Sequence, residues 1–140
     1  MRRSRKAALP RDRRGVAAVE FALLLPFLLF ALLATVDYCR VFYCSLTVSN
    51  CARNGALYGS ADQVHAQDTS GIATATRLDA SNLNLAQMQV SSSTDNSVTY
   101  LDVRVTYPFT TFAQYPGIPR QTTLSRTVRM SVVPATPTFH

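Results

Sequence analysis

The sequence is poor in the residues on which most catalytic sites depend. It has 140 residues with only two histidines, three cysteines and five glycines. His65 is predicted to lie in a polar loop and His140 is the last residue of the sequence, so neither has a nucleophile or metal ligand beside it. The G-x-S-x-G, H-E-x-x-H and glycine-rich phosphate-loop motifs are missing. We therefore predict one small domain that is not an enzyme and that uses no metal or cofactor.

The few cysteines also argue against an internal disulfide framework. Cys39, Cys44 and Cys51 all fall in one predicted helix, and the closest pair along a face, Cys44 and Cys51, is about 10.5 Å apart in helical rise. A disulfide needs Cα atoms within about 6.8 Å. The spacings are not C-x-x-C, so zinc binding is poorly supported. We interpret the cysteines as small apolar helix residues, with bridges between subunits or across a helix break as the alternatives.

Acidic residues are scarce, and the excess of positive charge is confined to the beginning of the sequence. Residues 1–14 hold seven basic residues and one acidic residue, whereas residues 15–140 carry no net charge. Nucleic-acid binding would require basic residues gathered on a folded face. The sequence therefore predicts no nucleic-acid partner and instead a basic head next to a membrane.

A long apolar run follows this basic head. Residues 16–36 contain a single charged side chain, and a helix of that length spans roughly 31 Å, the thickness of a bilayer core. The positive-inside rule places the N-terminus in the cytoplasm and the rest of the chain on the outer side of the membrane. An ordinary secretory signal fits poorly, because its apolar region is shorter and ends in an A-x-A-like site.

Glu20 is the one charged residue of this run. A carboxylate costs about 2.5 to 3.5 kcal/mol at the centre of a membrane helix and less near an end, so it marks a candidate functional residue. The alternative is that it extends to the headgroups from about one turn inside the span. Gly15 directly precedes the run, and Glu20 is the fifth residue counted from Val16.

This arrangement resembles the precursors of type IV pilins and, more narrowly, the TadE-like family of minor pilins and pseudopilins of tight-adherence (Tad) pili. The resemblance covers roughly the first third of the chain, and Leu57 stands where the family often has a second arginine. The residues that carry it are Gly15, Glu20, Phe21, Pro26, Asp37, Arg40, Asn50, Ala52, Arg53, Gly55 and Ala56.

The resemblance implies that a prepilin peptidase cleaves after Gly15 and leaves Val16 as the first residue. It assigns subunit docking and assembly to Glu20, Phe21 and Pro26. A buried carboxylate on one subunit can neutralise the N-terminal ammonium of a neighbour, which relieves two charge burials together. The motif of the outer helix comprises Asp37, Arg40, Asn50, Arg53 and Gly55.

The same resemblance implies partners and a function. The partners are prepilin peptidase, other major and minor pilins or pseudopilins, the inner-membrane assembly platform and membrane lipid. The function is initiation, priming or capping of a Tad-type pilus for adhesion or secretion, with the subunit in the inner membrane or in the extracellular filament. The competing hypothesis is an uncleaved, signal-anchored periplasmic binding module without a pilus role.

The remaining residues predict an α+β fold of pilin-like outline. No glycine or proline interrupts residues 37–54, so the helix is expected to continue from the membrane to about Tyr58, a length of about 64 Å. Pro26 removes one backbone hydrogen bond and predicts a kink or local melting. The Asp37–Arg40 and Asn50–Arg53 spacings allow pairing along the helix.

Alternation of apolar and polar residues predicts a three-stranded antiparallel sheet on the outer half of the helix. A short helix is expected at 70–79, a turn at 94–97, and strands at about 88–92, 98–109 and 122–133. The predicted organisation is a leader at 1–15, a membrane segment at 16–36, an outer helix at 37–60 and an exposed domain at 61–140.

Overall fold

A computed structural model describes residues 13–115 and 119–134 of the chain. Most of the predicted leader at 1–15 lies outside the described residues, and so do residues 116–118 and 135–140 of the predicted exposed domain. Within the described ranges the fold is α+β, with one long helix, two short helices and a three-stranded sheet.

The long helix α1 (Arg13–Gly59) combines the predicted span and the predicted outer helix in one element. Its 47 residues correspond to about 70 Å. It is the one helix in the described part of the chain that is long and apolar enough to cross a membrane. The helix ends at Gly59, close to the predicted end at about Tyr58. The Ser60 N–H donates to the Ala56 carbonyl at 2.9 Å and completes the last turn.

Two short helices follow α1. The predicted helix at 70–79 is present as α3 (Thr69–Arg77), and a five-residue helix, α2 (Gln63–Gln67), precedes it. His65 therefore lies on α2, and the prediction of a polar loop there is wrong. The missed signal was Asp62, whose side chain accepts the His65 backbone N–H at 2.7 Å and caps the helix.

The predicted sheet is confirmed, with strands β1 (Gln89–Thr94), β2 (Tyr100–Thr110) and β3 (Gln121–Ser131). They are antiparallel in the order β1-β2-β3, with Val105 of β2 opposite Val90 on one side and Arg126 on the other. The turn between β1 and β2 is built on Asp95, whose carboxylate accepts the backbone N–H groups of Thr99 and Tyr100.

The core lies between the sheet and the outer half of α1, as predicted. Alternate residues of β2 point inward, and three of them, Leu101, Val103 and Val105, are fully buried. They meet small residues of α1 and apolar residues of the α2–α3 region. The buried core comprises Val48, Cys51, Ala52, Ala56, Ala66, Ile72, Ala80, Leu83, Met88, Leu101, Val103, Val105, Phe109 and Val132.

Candidate functional site

The residues predicted to mediate docking lie on the apolar half of α1, which extends away from the domain core. Glu20, Phe21 and Pro26 are all exposed, and so are Gly15 and Val16 at the predicted cleavage position. The helix is continuous through Pro26, so the chain does not melt there. These side chains are therefore presented to the surroundings of the protein, while the roles assigned to them remain predictions.

Asp37 forms the most connected polar site of the described residues. It is only 4 % exposed although it directly follows the predicted span. Its carboxylate accepts the Phe112 backbone N–H at 3.0 and 3.1 Å and the Ala113 N–H at 3.4 Å. The Tyr115 hydroxyl donates to it at 3.0 Å. One carboxylate thus holds the segment after β2, residues 111–115, against α1.

Arg40 completes this site from the next turn of α1. Its Nη1 lies 3.1 Å from Asp37 Oδ1, which confirms the predicted pairing of these two residues. Its guanidinium carbon lies 3.8 Å from the centre of the Phe112 ring and 5.2 Å from that of Phe109. A planar cation between aromatic rings gains cation–π attraction in addition to the ion pair. Arg40 therefore links Asp37 to Phe109 in β2 and to Phe112 in the loop that follows.

The hydrogen bonds at this site set its protonation. The Phe112 N–H is the main reason that the pKa of Asp37 lies below its ordinary value, with further lowering by Tyr115, Ala113 and Arg40 and opposition from burial. Burial is the main reason that the pKa of Tyr115 is raised, and the hydrogen bond to Asp37 adds to it. At neutral pH the site therefore holds an ionised carboxylate and a neutral phenol that donates to it.

Gly55, the motif residue nearest the end of α1, has a packing role. A Cβ atom at this position would collide with the Thr76 hydroxyl of α3 and lie 3.2 Å from Val103 Cγ1 of β2. Gly59, one turn later, is closely approached by Leu101 and Ile72. The small residues of α1 therefore let α3 and β2 approach the helix backbone.

Asn50 and Arg53 face away from the sheet. Both are exposed, and within the described part of the chain neither forms a side-chain hydrogen bond, so the predicted pairing between them is wrong in this structure. They continue an exposed face of α1 whose apolar members are unpartnered in the described chain. That face comprises Tyr38, Phe42, Tyr43, Leu46, Asn50, Arg53 and Leu57.

The partners of Asp37 could not be found by inspecting the sequence near it. Phe112 and Tyr115 lie 75 and 78 residues away along the chain. The only local signal is that two aromatic residues follow a strand at its end, and such residues occur in many cores. Sequence reasoning gave Asp37 one partner, Arg40, and the structure adds the whole loop.

Comparison with known proteins agrees with this description of α1. The family model described as TadE-like protein matches residues 15–57, and this confirms the resemblance predicted from the sequence over that segment. No curated protein and no solved structure matches the chain. The matched segment includes every motif residue of α1 discussed above and ends before the sheet begins. It indicates a protein associated with Tad pili, and the apolar helix is compatible with a single-pass membrane protein.

Proposed function

We propose that this protein is a minor pilin or pseudopilin that takes part in the initiation, priming or capping of a Tad-type pilus used for adhesion or secretion. The observation that carries the proposal is the exposed face of α1, which runs from the apolar segment through Tyr38, Phe42 and Leu46 to Asn50 and Arg53. The sheet covers the other side of the outer helix, so this face is free for a neighbouring helix. The family match covers the same helix.

Glu20 supplies the second step of the proposal. Its side chain is exposed on a helix half that is otherwise apolar from Val16 to Val36. Cleavage after Gly15 would create a new ammonium group four residues earlier, at Val16. Since each charge is costly in lipid, an incoming carboxylate and a neighbour's ammonium stabilise each other when two subunits dock. This pairing fixes the axial register between subunits.

The proposed topology places residues 16–36 in the inner membrane, the basic head in the cytoplasm and the sheet in the periplasm. The partners are prepilin peptidase, which cleaves after Gly15, then other pilins or pseudopilins and the inner-membrane assembly platform. No catalytic step is assigned to the chain. It acts by presenting one helix face and one carboxylate to the assembling subunits.

The experiment that tests this function is intact-mass and N-terminal analysis of the protein extracted from its own cell membranes. A mature chain that begins at Val16 supports prepilin processing, and Gly15→Ala should abolish the cleavage. A wild-type chain that still begins at Met1 or Arg2 would contradict the proposal and favour the uncleaved, signal-anchored binding module.

Docking is tested separately by Glu20→Gln, which removes the charge and keeps the size of the side chain. We expect pilus assembly to be lost while membrane insertion and cleavage proceed, because the ammonium of the neighbour is left unpaired. Gln63→Glu, on exposed α2, is a matched control that changes charge away from the span. Normal piliation by Glu20→Gln at native expression level would remove Glu20 from the mechanism.

A further inference from the structure

After Thr111, whose backbone N–H donates to the Arg120 carbonyl at 3.0 Å, the segment that follows β2 lies along the last turns of the apolar half of α1. The Tyr115 ring packs edge-on against Phe30, with ring centres 5.7 Å apart and an angle of 73° between the planes. Its hydroxyl reaches Asp37, seven residues later on the same helix face. Those seven residues correspond to about 10.5 Å of rise. Tyr115 therefore covers the end of the apolar segment from Asp37 down to Phe30.

This contact reduces the solvent exposure of one residue of the apolar segment. Ala34 is the only residue between Gly15 and Val36 that is not exposed, and it lies beside Tyr115. The two side chains border a shallow, largely apolar groove of about 220 Å³ at the junction of the helix and the loop, together with Tyr38, Val41 and Thr111. The groove is continuous with the apolar surface of residues 16–36.

The loop also carries an aromatic ring that is largely exposed. Phe112 is 68 % exposed, although its own backbone N–H is fixed by Asp37 and its ring lies under the Arg40 guanidinium. A ring held in this position would leave a large apolar area in water. Aromatic rings, tyrosine hydroxyls and arginine side chains are the groups enriched where a bilayer core meets its headgroups.

We propose that residues 111–115 form a membrane contact, in which Phe112 and Tyr115 lie at the interface of the periplasmic leaflet against phospholipid and Asp37 holds them there. This inference rests on the part of the proposed function that places residues 16–36 in a bilayer. Phospholipid is the occupant because the groove is continuous with the span, and because Tyr115 lies at the depth of its last turns. The contact fixes the height and rotation of the sheet above the membrane.

The absence of tryptophan from the sequence makes the contact directly measurable. The full chain is reconstituted in vesicles of phosphatidylethanolamine and phosphatidylglycerol that carry lipids brominated at defined depths. Phe112→Trp introduces a single fluorophore in the loop. Tyr100→Trp introduces one at the opposite end of β2, where the side chain is 49 % exposed and lies about 34 Å along the strand from Thr110, the residue before the loop.

We expect the fluorescence of Phe112→Trp to shift to the blue in vesicles and to be quenched by lipids brominated near the headgroup. The fluorescence of Tyr100→Trp should remain accessible to aqueous iodide. Adding Asp37→Asn to Phe112→Trp should reduce the lipid quenching, because the loop loses the carboxylate that positions it. Equal iodide access and no lipid quenching at both positions would overturn the proposal.

Two further measurements distinguish a failure of the loop contact from a failure of the proposed membrane span and from a contact with a second copy. Phe27→Trp places the fluorophore inside the predicted span, where Phe27 is 69 % exposed in the isolated chain. Deep quenching there without quenching of Phe112→Trp would refute the loop contact and leave the span intact, whereas no quenching at either position would refute both. Dilution of protein in lipid distinguishes a second copy: protection of Phe112→Trp that disappears on dilution means a protein contact and contradicts the lipid assignment.

Discussion

The two halves of α1 show how one helix serves two different surroundings. From Gly15 to Val36 every residue but Ala34 is exposed, although the segment is almost entirely apolar. From Thr47 to Gly59 the same helix contributes seven buried residues to the domain core or its edge: Thr47, Val48, Cys51, Ala52, Gly55, Ala56 and Gly59. The first half uses large side chains and the second uses small ones along its buried face.

The difference in side-chain size follows from what each half contacts. Large apolar side chains around the whole helix suit lipid, which adapts to any shape. A sheet and a second helix have fixed shapes, so they approach α1 closely only where its side chains are small. Asp37 and Arg40 lie at the boundary between the halves, where the loop is tied down.

Among the predicted changes, Gly55→Ala should destabilise the protein most, because it disturbs the close packing of the outer half of α1. The new methyl group collides with the Thr76 hydroxyl, which is buried and donates to the Ile72 carbonyl at 2.7 Å. Relief of the collision displaces α3 or breaks that hydrogen bond, which we expect to lower the free energy of unfolding by about 2 kcal/mol. Thermal unfolding followed by circular dichroism in detergent measures the change.

Gly15→Ala is the packing control when both variants are compared in the uncleaved, full-length chain, because nothing lies within 4 Å of a Cβ atom built at Gly15. Gly55→Ala also gains about 1 kcal/mol of helix propensity, whereas Gly15 lies in the first turn of α1, away from the domain core. The control should therefore leave the unfolding of the domain unchanged. An equal effect of the two alanines would show that close packing does not distinguish the two halves.

A smaller effect is predicted at the boundary between the two halves, where Asp37 attaches residues 111–115 to α1. Asp37→Asn removes the charge and one of the two acceptor oxygens, so residues 111–115 should separate from α1 while the core stays folded. We expect the Phe112 and Ala113 amides to exchange with deuterium roughly tenfold faster. Asp102→Asn is the control, since the Asp102 carboxylate pairs with Arg129 on the exposed face of the sheet. Unchanged exchange in Asp37→Asn would contradict the assignment of Asp37 as the attachment of the loop.

The smallest predicted effect is a pH dependence in the stability of the exposed domain. Asp68 caps α3 and accepts hydrogen bonds from Ser70, Gly71 and Tyr58. The bond from Ser70 is the main cause that lowers its pKa to about 2. A lowered pKa means that the ionised form stabilises the fold above the ordinary carboxyl pKa of about 4. This stabilisation is lost as the pH falls through about 4 towards 2.

Asp68→Asn isolates that contribution, because asparagine also caps helices but does not titrate. The variant should be less stable than the wild type at pH 7, and the two free energies of unfolding should converge as the pH falls below about 4. Chemical unfolding at a series of pH values measures this difference. A constant difference at all pH values would show that the charge of Asp68 makes no contribution.

The long helix, its apolar half, the strands and the resemblance of residues 15–57 to TadE-like proteins could all be predicted from the amino-acid sequence. Each of these depends on local information, namely a run of apolar residues, a period of two along the strands, and motif residues close together in the chain. It also gave the Asp37–Arg40 pair, because residues three apart share a helix face. It missed α2, since a five-residue helix has almost no periodic signal.

The contacts of the motif residues could not be predicted in this way, because they join parts of the chain that are far apart in sequence. Asp37 meets Phe112 and Tyr115 across more than seventy residues, and Gly55 meets Thr76 and Val103 from two different elements. Such contacts depend on the three-dimensional path of the chain, which spacing along one helix does not encode. The same reason explains why Asn50 and Arg53, which the spacing allowed to pair, instead lie exposed on the free face of α1.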